Sequence, residues 1–386
     1  MTTPEDAPAG AHQGLTPVKL YLLLLKIGAI GFGGGMAVIS LMEREFVGKR
    51  QLVSAGEFVQ GVGLGQVLGS FAVNAAFFVG YRLFGPLAGV ISAAIFLLPS
   101  FALVCGLSQL YFTYHRIPAL EGAVTGLGPV VIALIVTAGW SLGRQVVLSW
   151  RAAVLAAAAL VCGAFRVNSV WTLLACGAVG LVFCKDPEPD GPPPREPIAT
   201  GFFAAAIPAV PALTGIGAMG LQFFKLGFVF LGGGFALVPV LHDRLVVGLH
   251  WLTAREFLDG VAISNLTPGP IAVLSTFAGY RLNGIWGALV ATIALFTPGI
   301  AVMMFLTRQY GRLREAPAVR RFLAGVGPAV AGLVISAAIT LSGKALDSWR
   351  GWVLFAASLF LLGKLRWHPA AVLAVGVAAG ALHLVA

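Results

Sequence analysis

Residues 26–35 read KIGAIGFGGG and residues 225–234 read KLGFVFLGGG. Each stretch holds a lysine, a glycine two positions on and three consecutive glycines at its end, within otherwise apolar surroundings. The separation is 199 residues, and the same shift keeps working without a gap. Glu57-Phe58 falls on Glu256-Phe257, Gly61-Val62 on Gly260-Val261, and Gly80-Tyr81-Arg82-Leu83 on Gly279-Tyr280-Arg281-Leu282. Farther along, Pro99 falls on Pro298, Gly128-Pro129 on Gly327-Pro328, and Trp150-Arg151 on Trp349-Arg350. Internal repetition is the first thing to settle in a new sequence, and here it means one structural unit written twice.

The solvent of that unit follows from composition. Of 386 residues, 58% are hydrophobic and 10% charged, more apolar side chain than a soluble globule buries. In a bilayer every spanning backbone must satisfy its own polar groups. The runs are rich in Ala, Leu, Val and Gly without the alternation of barrel strands, so they read as helices. The 25 basic residues outnumber the 15 acidic ones. They stand singly at the ends of apolar runs, as topology signals rather than a nucleic-acid surface. Cys105, Cys162, Cys176 and Cys184 lie in apolar runs with no CxxC spacing and read as small hydrophobes, not metal ligands. Neither a metal nor a cofactor is expected. No HExxH, P-loop, dinucleotide fingerprint or nucleophile elbow occurs, so an enzyme is not expected.

The expected organisation is a polar tail over 1–16, a first repeat over 17–184, a linker over 185–200 and a second repeat over 201–386. Residues 185–197 read KDPEPDGPPPREP, and their prolines and charges exclude helix and favour an extended, wet segment. With Glu5 and Asp6 ahead of the first apolar run, the tail does not resemble a cleavable signal. Spans are expected at 17–41, 84–112 and 121–143, and again at 219–241, 283–306 and 322–343, each able to cross about 30 Å. Residues 57–80 and 256–280 suit broken hairpins that return to their own side. Each half closes with a shorter pair, 152–165 with 168–184 and 351–363 with 367–386. The fold class is therefore an all-α polytopic membrane protein with about ten transmembrane helices, including re-entrant or broken ones. An odd number of crossings per half inverts the second copy. The loop 308–321 holds five arginines where 113–120 holds only Arg116, which favours opposite sides. With the Arg-rich loop and the linker in the cytoplasm, fifteen basic residues lie inside and eight outside, and both termini lie outside. Inverted repeats with discontinuous helices are the architecture of many secondary transporters, whose sites lie near the midplane where the repeats meet.

Several residues could line such a site. Gly33, Gly34, Gly35, Gly232, Gly233 and Gly234 each cost about 1 kcal/mol relative to Ala within a helix, so they need a purpose. Close helix packing and a break whose N–H groups face an anion both remain open. Asn265-Leu266-Thr267-Pro268-Gly269-Pro270 cannot be continuous helix and reads as a re-entrant tip; Gln66 belongs to the equivalent stretch of the first half. Lys26 and Lys225 stand inside the first span of each half, where a lysine snorkels, faces water or meets an anion. Arg82 and Arg281 are either interfacial anchors or guanidinium forks for a tetrahedral dianion. Glu57, Glu256 and His242 are candidate proton carriers. For the two glutamates, a first-turn acid that complements the helix dipole is the plainer reading.

The motif Phe32-Gly33-Gly34-Gly35 with Leu231-Gly232-Gly233-Gly234, the Pro268-Gly269-Pro270 triplet and the doubled Gly-Tyr-Arg-Leu together resemble the chromate transporter family in its long form with two fused domains. The resemblance covers about residues 17–386. It implies duplicated, oppositely oriented halves, export of chromate across a bacterial-type cytoplasmic membrane linked to protons or membrane potential, sulfate as the physiological mimic, and chromate resistance. Expected partners are a small inorganic oxyanion and the lipid bilayer, with no nucleic acid and with homodimerisation left open. Gly69-Ser70-Phe71 replaces Pro-Gly-Pro in the first copy, and Met36 stands where the family often has proline, so the first hairpin departs from the pattern. A transporter of sulfate or another small anion, an anion channel and a non-transport membrane scaffold are the alternatives.

Overall fold

The 199-residue shift carries over from letters to helices. The computed structural model describes residues 15–31, 35–54, 57–58, 61–62, 70–114, 118–165, 167, 169–183, 215–229, 237–313, 317–346 and 348–382. All regular secondary structure among the described residues is helical. The first copy holds α1 (Pro17–Ile30), α2 (Gly35–Glu43) running into a π-helical turn (Arg44–Lys49), α3 (Phe71–Phe84), α4 (Pro86–Tyr114), α5 (Pro118–Val146), α6 (Trp150–Ala164) and α7 (Ser169–Phe183). The second holds α8 (Ile216–Val229), α9 (Leu237–Leu241) with its π-helical turn (His242–Gly248), α10 (Ala254–Leu266), a 3-10 turn (Ile271–Val273), α11 (Leu274–Leu313), α12 (Pro317–Ala345), α13 (Trp349–Gly363) and α14 (Pro369–Ala381). Most of the N-terminal tail and the whole proline-rich linker lie outside the described residues.

Local chemistry explains the boundaries. Thr16 accepts the Lys19 N–H ahead of Pro17 at the start of α1, an N-cap followed by a proline whose missing donor costs nothing there. Ser149 and its equivalent Ser348 cap α6 and α13 in the same way. Between α3 and α4 lies Gly85 at φ 88°, and α11 is kinked at its equivalent, Gly284, at φ 56°. These left-handed conformations favour glycine, and they separate each hairpin's return arm from the long span that follows.

Among the described residues four helical stretches are long and apolar enough to cross a membrane, 86–113, 125–144, 271–307 and 324–343. They match the spans expected after the hairpins. Helix α1 ends at Gly31, whose ψ of 61° leaves the helical range, and helix is described again from Gly35; residues 32–34 and 230–236 lie outside the described residues. The terminal pairs have 15, 15, 15 and 13 residues, which at about 1.5 Å per residue falls short of the bilayer core.

The two copies exchange their ends. The pair α6–α7 packs on α12 of the second copy, and the pair α13–α14 packs on α5 of the first. Small residues permit it: a Cβ on Gly126 would overlap the Gly376 carbonyl, and one on Gly325 would overlap the Cys176 carbonyl. Along the crossing of α5 and α12, Gly128 lies against Ala345, Gly139 against Ile335 and Gly143 against Ala331. Equivalent helices of the two copies therefore run in opposite directions, which makes the repeats inverted. The same register sets Thr137 and Ala138 opposite their own equivalents, Ser336 and Ala337, and marks the local pseudo-two-fold axis.

Candidate functional site

The second hairpin starts from a capping box: Thr253 accepts the Glu256 N–H at 3.1 Å and Glu256 accepts the Thr253 N–H at 2.8 Å. Helix α10 runs to Leu266, where Pro268 and Pro270 prevent its continuation. Two carbonyls near its end are taken up locally. The Asn265 amide donates to Val261 O at 2.8 Å and the Thr267 hydroxyl to Ser264 O at 3.0 Å. The chain then returns along α11, with Gly260 against the Phe277 ring. The first copy repeats this packing, Gly61 against Phe78. Residues 257–264 and 271–279 are buried, so the non-helical tip is enclosed by protein, as backbone at membrane depth requires.

The tip reaches into the other copy. The Gly269 N–H donates to the carbonyl of Gly31 at 3.1 Å, the residue at which α1 ends. The Ser100 hydroxyl donates to the carbonyl of Pro268. Gly269 adopts φ +107°, and a Cβ on it would overlap Ser100 Oγ, so conformation and space both demand glycine. Ser100 lies at the middle of the 29-residue α4, which places this contact at mid-depth. Gly31 and Ser100 were not among the residues expected from sequence; nothing local distinguishes them.

At the opposite end of the hairpin, Arg281 Nε–H donates to Glu256 Oε1 at 2.8 Å, and the equivalent Arg82 donates to Glu57. The Arg281 guanidinium also lies 5.6 Å from the Phe112 ring centre. Each pair ties the start of a hairpin to the end of its return arm. Partial burial opposes the charge on Glu256, but the Thr253 and Arg281 hydrogen bonds outweigh it and hold the carboxyl below the usual carboxylate range. Glu57 is held low likewise by Arg82 and Ser54 against its partial burial.

The remaining candidates are spread out. Lys26 is on the exposed face of α1 and Lys225 is half-buried on α8. His242 is buried, 3.6 Å from Asp243, with its ring edge-on to Phe257 at 5.4 Å. With Ser169, Ser336 and Thr340 it lines a small cavity beside the pseudo-two-fold axis, away from the tip. Gly35 opens α2. Gly33, Gly34, Gln66, Gly232, Gly233 and Gly234 lie outside the described residues.

One group was missed altogether. Asp259 is 3% exposed on α10 and accepts a 2.7 Å hydrogen bond from the Tyr111 hydroxyl of α4. A signal was present, an acid within an apolar hairpin whose equivalent in the first copy is Gln60.

Inverted helical repeats and a buried hairpin tip that meets the end of α1 at mid-depth define the class: an all-helical polytopic membrane protein. The chain belongs to the chromate transporter family, which it matches over residues 18–181 and 217–381, one match per repeat. That family is one of transporters, not enzymes. A probable chromate transport protein of Synechococcus elongatus is 31% identical over 352 residues, 88% of each chain. A chromate transport protein of Cupriavidus metallidurans is 27% identical, with 89% of this chain and 88% of that one covered. Another, of Pseudomonas aeruginosa, is 31% identical, with 84% and 80% covered. No solved structure matches the chain.

Proposed function

We infer that the protein is a secondary active transporter that exports chromate across the cytoplasmic membrane of a bacterium, with the oxyanion passing where the Thr267–Pro270 tip meets the end of the first helix of the other repeat. The observation that carries this reading is the hydrogen bond from Gly269 to Gly31 at the mid-depth of α4. When the repeats part, that N–H becomes a donor for a dianion at the depth where inverted-repeat transporters bind substrate. Lys225 and Lys26 supply positive charge along the path, and the glycine runs and Asn265 line it. Arg82 and Arg281, paired to Glu57 and Glu256, hold the hairpins in shape. Export suits the membrane's field: each charge is worth about 2.3 kcal/mol per 100 mV, so a dianion leaving an inside-negative cell gains about twice that.

The test is chromate flux into inside-out proteoliposomes, with sulfate as competitor and with an imposed potential or pH gradient. Uphill flux that saturates and is competed by sulfate is the expected result. Flux that only dissipates gradients, at channel-like rates, overturns the secondary-transport reading.

A further inference from the structure

We propose that Asp259 is the proton-carrying group of this transporter and that its contact with Tyr111 relays its charge state across the interface between the repeats. The proposal rests on the transport reading and deepens it.

A carboxylate at 3% exposure is costly to keep charged away from water unless donors meet it. Here the hydrogen bond comes from the other repeat: Tyr111, 148 residues away, donates at 2.7 Å. The first copy has Gln60 at the equivalent position, which can hydrogen-bond but cannot titrate. Of the two repeats only the second therefore carries an acid at this position.

Every neighbouring element supports the assignment or is silent on it. On α10 itself Arg255 and Glu256 are next to Asp259, Arg255 reaching Thr125 at 2.9 Å and Glu256 tied to Arg281. Glu256 has both oxygens occupied by donors, so Asp259 is the better proton acceptor. Helix α11 contributes Tyr280 and Arg281, and the π-helical turn contributes His242, Asp243 and Arg244, with His242 against Phe257. Helix α5 carries Glu121 and Arg144, helix α12 carries Arg320, Arg321 and Lys344, and α14 has no ionisable side chain.

Asp259 and the contact at the proposed oxyanion path lie on one hairpin. The same α10 that carries Asp259 ends at the tip whose Gly269 meets Gly31. A carboxylate accepts a proton from hydronium and releases water, while the Tyr111 hydroxyl stays neutral and keeps its own hydrogen. Charge-assisted hydrogen bonds are about twice as strong as neutral ones, so protonation loosens the hold of α4 on α10. Proton uptake and separation of the repeats are coupled in this way, and with them exposure of the oxyanion path.

The test uses the full chain in proteoliposomes. In Asp259→Asn, chromate accumulation driven by a pH gradient should fall at least about tenfold, while monodisperse elution in detergent at the position of the unaltered protein certifies folding. Tyr111→Phe removes a donor to the charged form, so the pH midpoint of transport should move upward by about one unit. A reading independent of transport is the infrared carbonyl band of protonated carboxyls, one component of which should appear on acidification of the unaltered protein and be missing from the difference spectrum of Asp259→Asn. Undiminished gradient-driven accumulation in Asp259→Asn, or no such band, overturns the proposal. Flux in the unaltered protein without any response to a pH gradient overturns it alone, whereas absence of oxyanion flux overturns the transport reading with it.

Discussion

Replacing Gly269 by alanine probes the mid-depth contact most directly. The backbone there is at φ +107°, a region that costs an L residue about 1–3 kcal/mol. The added Cβ would also overlap Ser100 Oγ, and overpacking of this kind costs about 1–3 kcal/mol more. Even the lower sum, about 2 kcal/mol, is roughly a thirtyfold loss in the population with the tip seated against Gly31. Chromate flux in vesicles should fall by at least about that factor, with the protein still monodisperse in detergent. Ser100→Ala removes the overlapping oxygen along with its hydrogen bond to Pro268 O. The double variant Gly269→Ala/Ser100→Ala should therefore recover the steric part and retain the conformational part, giving a coupling of about 1–3 kcal/mol in the cycle. Wild-type flux in Gly269→Ala, or strictly additive effects, would refute the assignment of the tip as the point where the repeats close.

The remaining predictions concern the scaffold around it. Arg281→Gln and Glu256→Gln should each lower thermal stability by about 1 kcal/mol, because the pair is partly exposed. The swap Arg281→Glu/Glu256→Arg should restore the ion pair but not the capping bond from the Thr253 N–H, so transport should recover with only part of the stability, and failure to restore transport would mean that Arg281 meets the substrate. Because Glu256 is held below its usual range, its stabilisation is complete at neutral pH and is lost only as pH falls through that lowered value, so acid unfolding near neutrality would contradict the clamp. Gly126→Val and Gly325→Val push side chains into backbone carbonyls of the other copy and should abolish monodisperse protein on size exclusion; normal elution would show that the exchanged helix pairs are not needed for folding. Single cysteines placed at 116 and at 315 should label from opposite sides of the membrane, and labelling from one side would reject the inverted arrangement in the bilayer.

The match between letters and structure is closest where spacing alone carries information. The doubled glycine runs, the prolines at 268 and 270 and the 199-residue shift are local or periodic marks. They foretold a helical, duplicated membrane protein with a broken hairpin over 256–280, while close packing and a break stayed open for the glycine runs. Local chemistry acts over a few residues, so a proline that removes a donor or a glycine run that weakens a helix can be read in place. The functions of the charged residues were harder to read. Arg281 fits an anion site as well as an interfacial anchor until Glu256, 25 residues earlier, is seen against it.

What sequence alone determined is the solvent, the helical class, the duplication and the break at Pro268-Gly269-Pro270, because composition, spacing and closely paired prolines act locally. Tertiary structure decided which pieces meet: α6–α7 on α12 and α13–α14 on α5, Gly269 on Gly31, Tyr111 on Asp259. These partners lie far apart along the chain, and their meeting depends on how small residues let whole helices approach. Packing of that kind is a property of two surfaces at once, and neither stretch of sequence contains it alone.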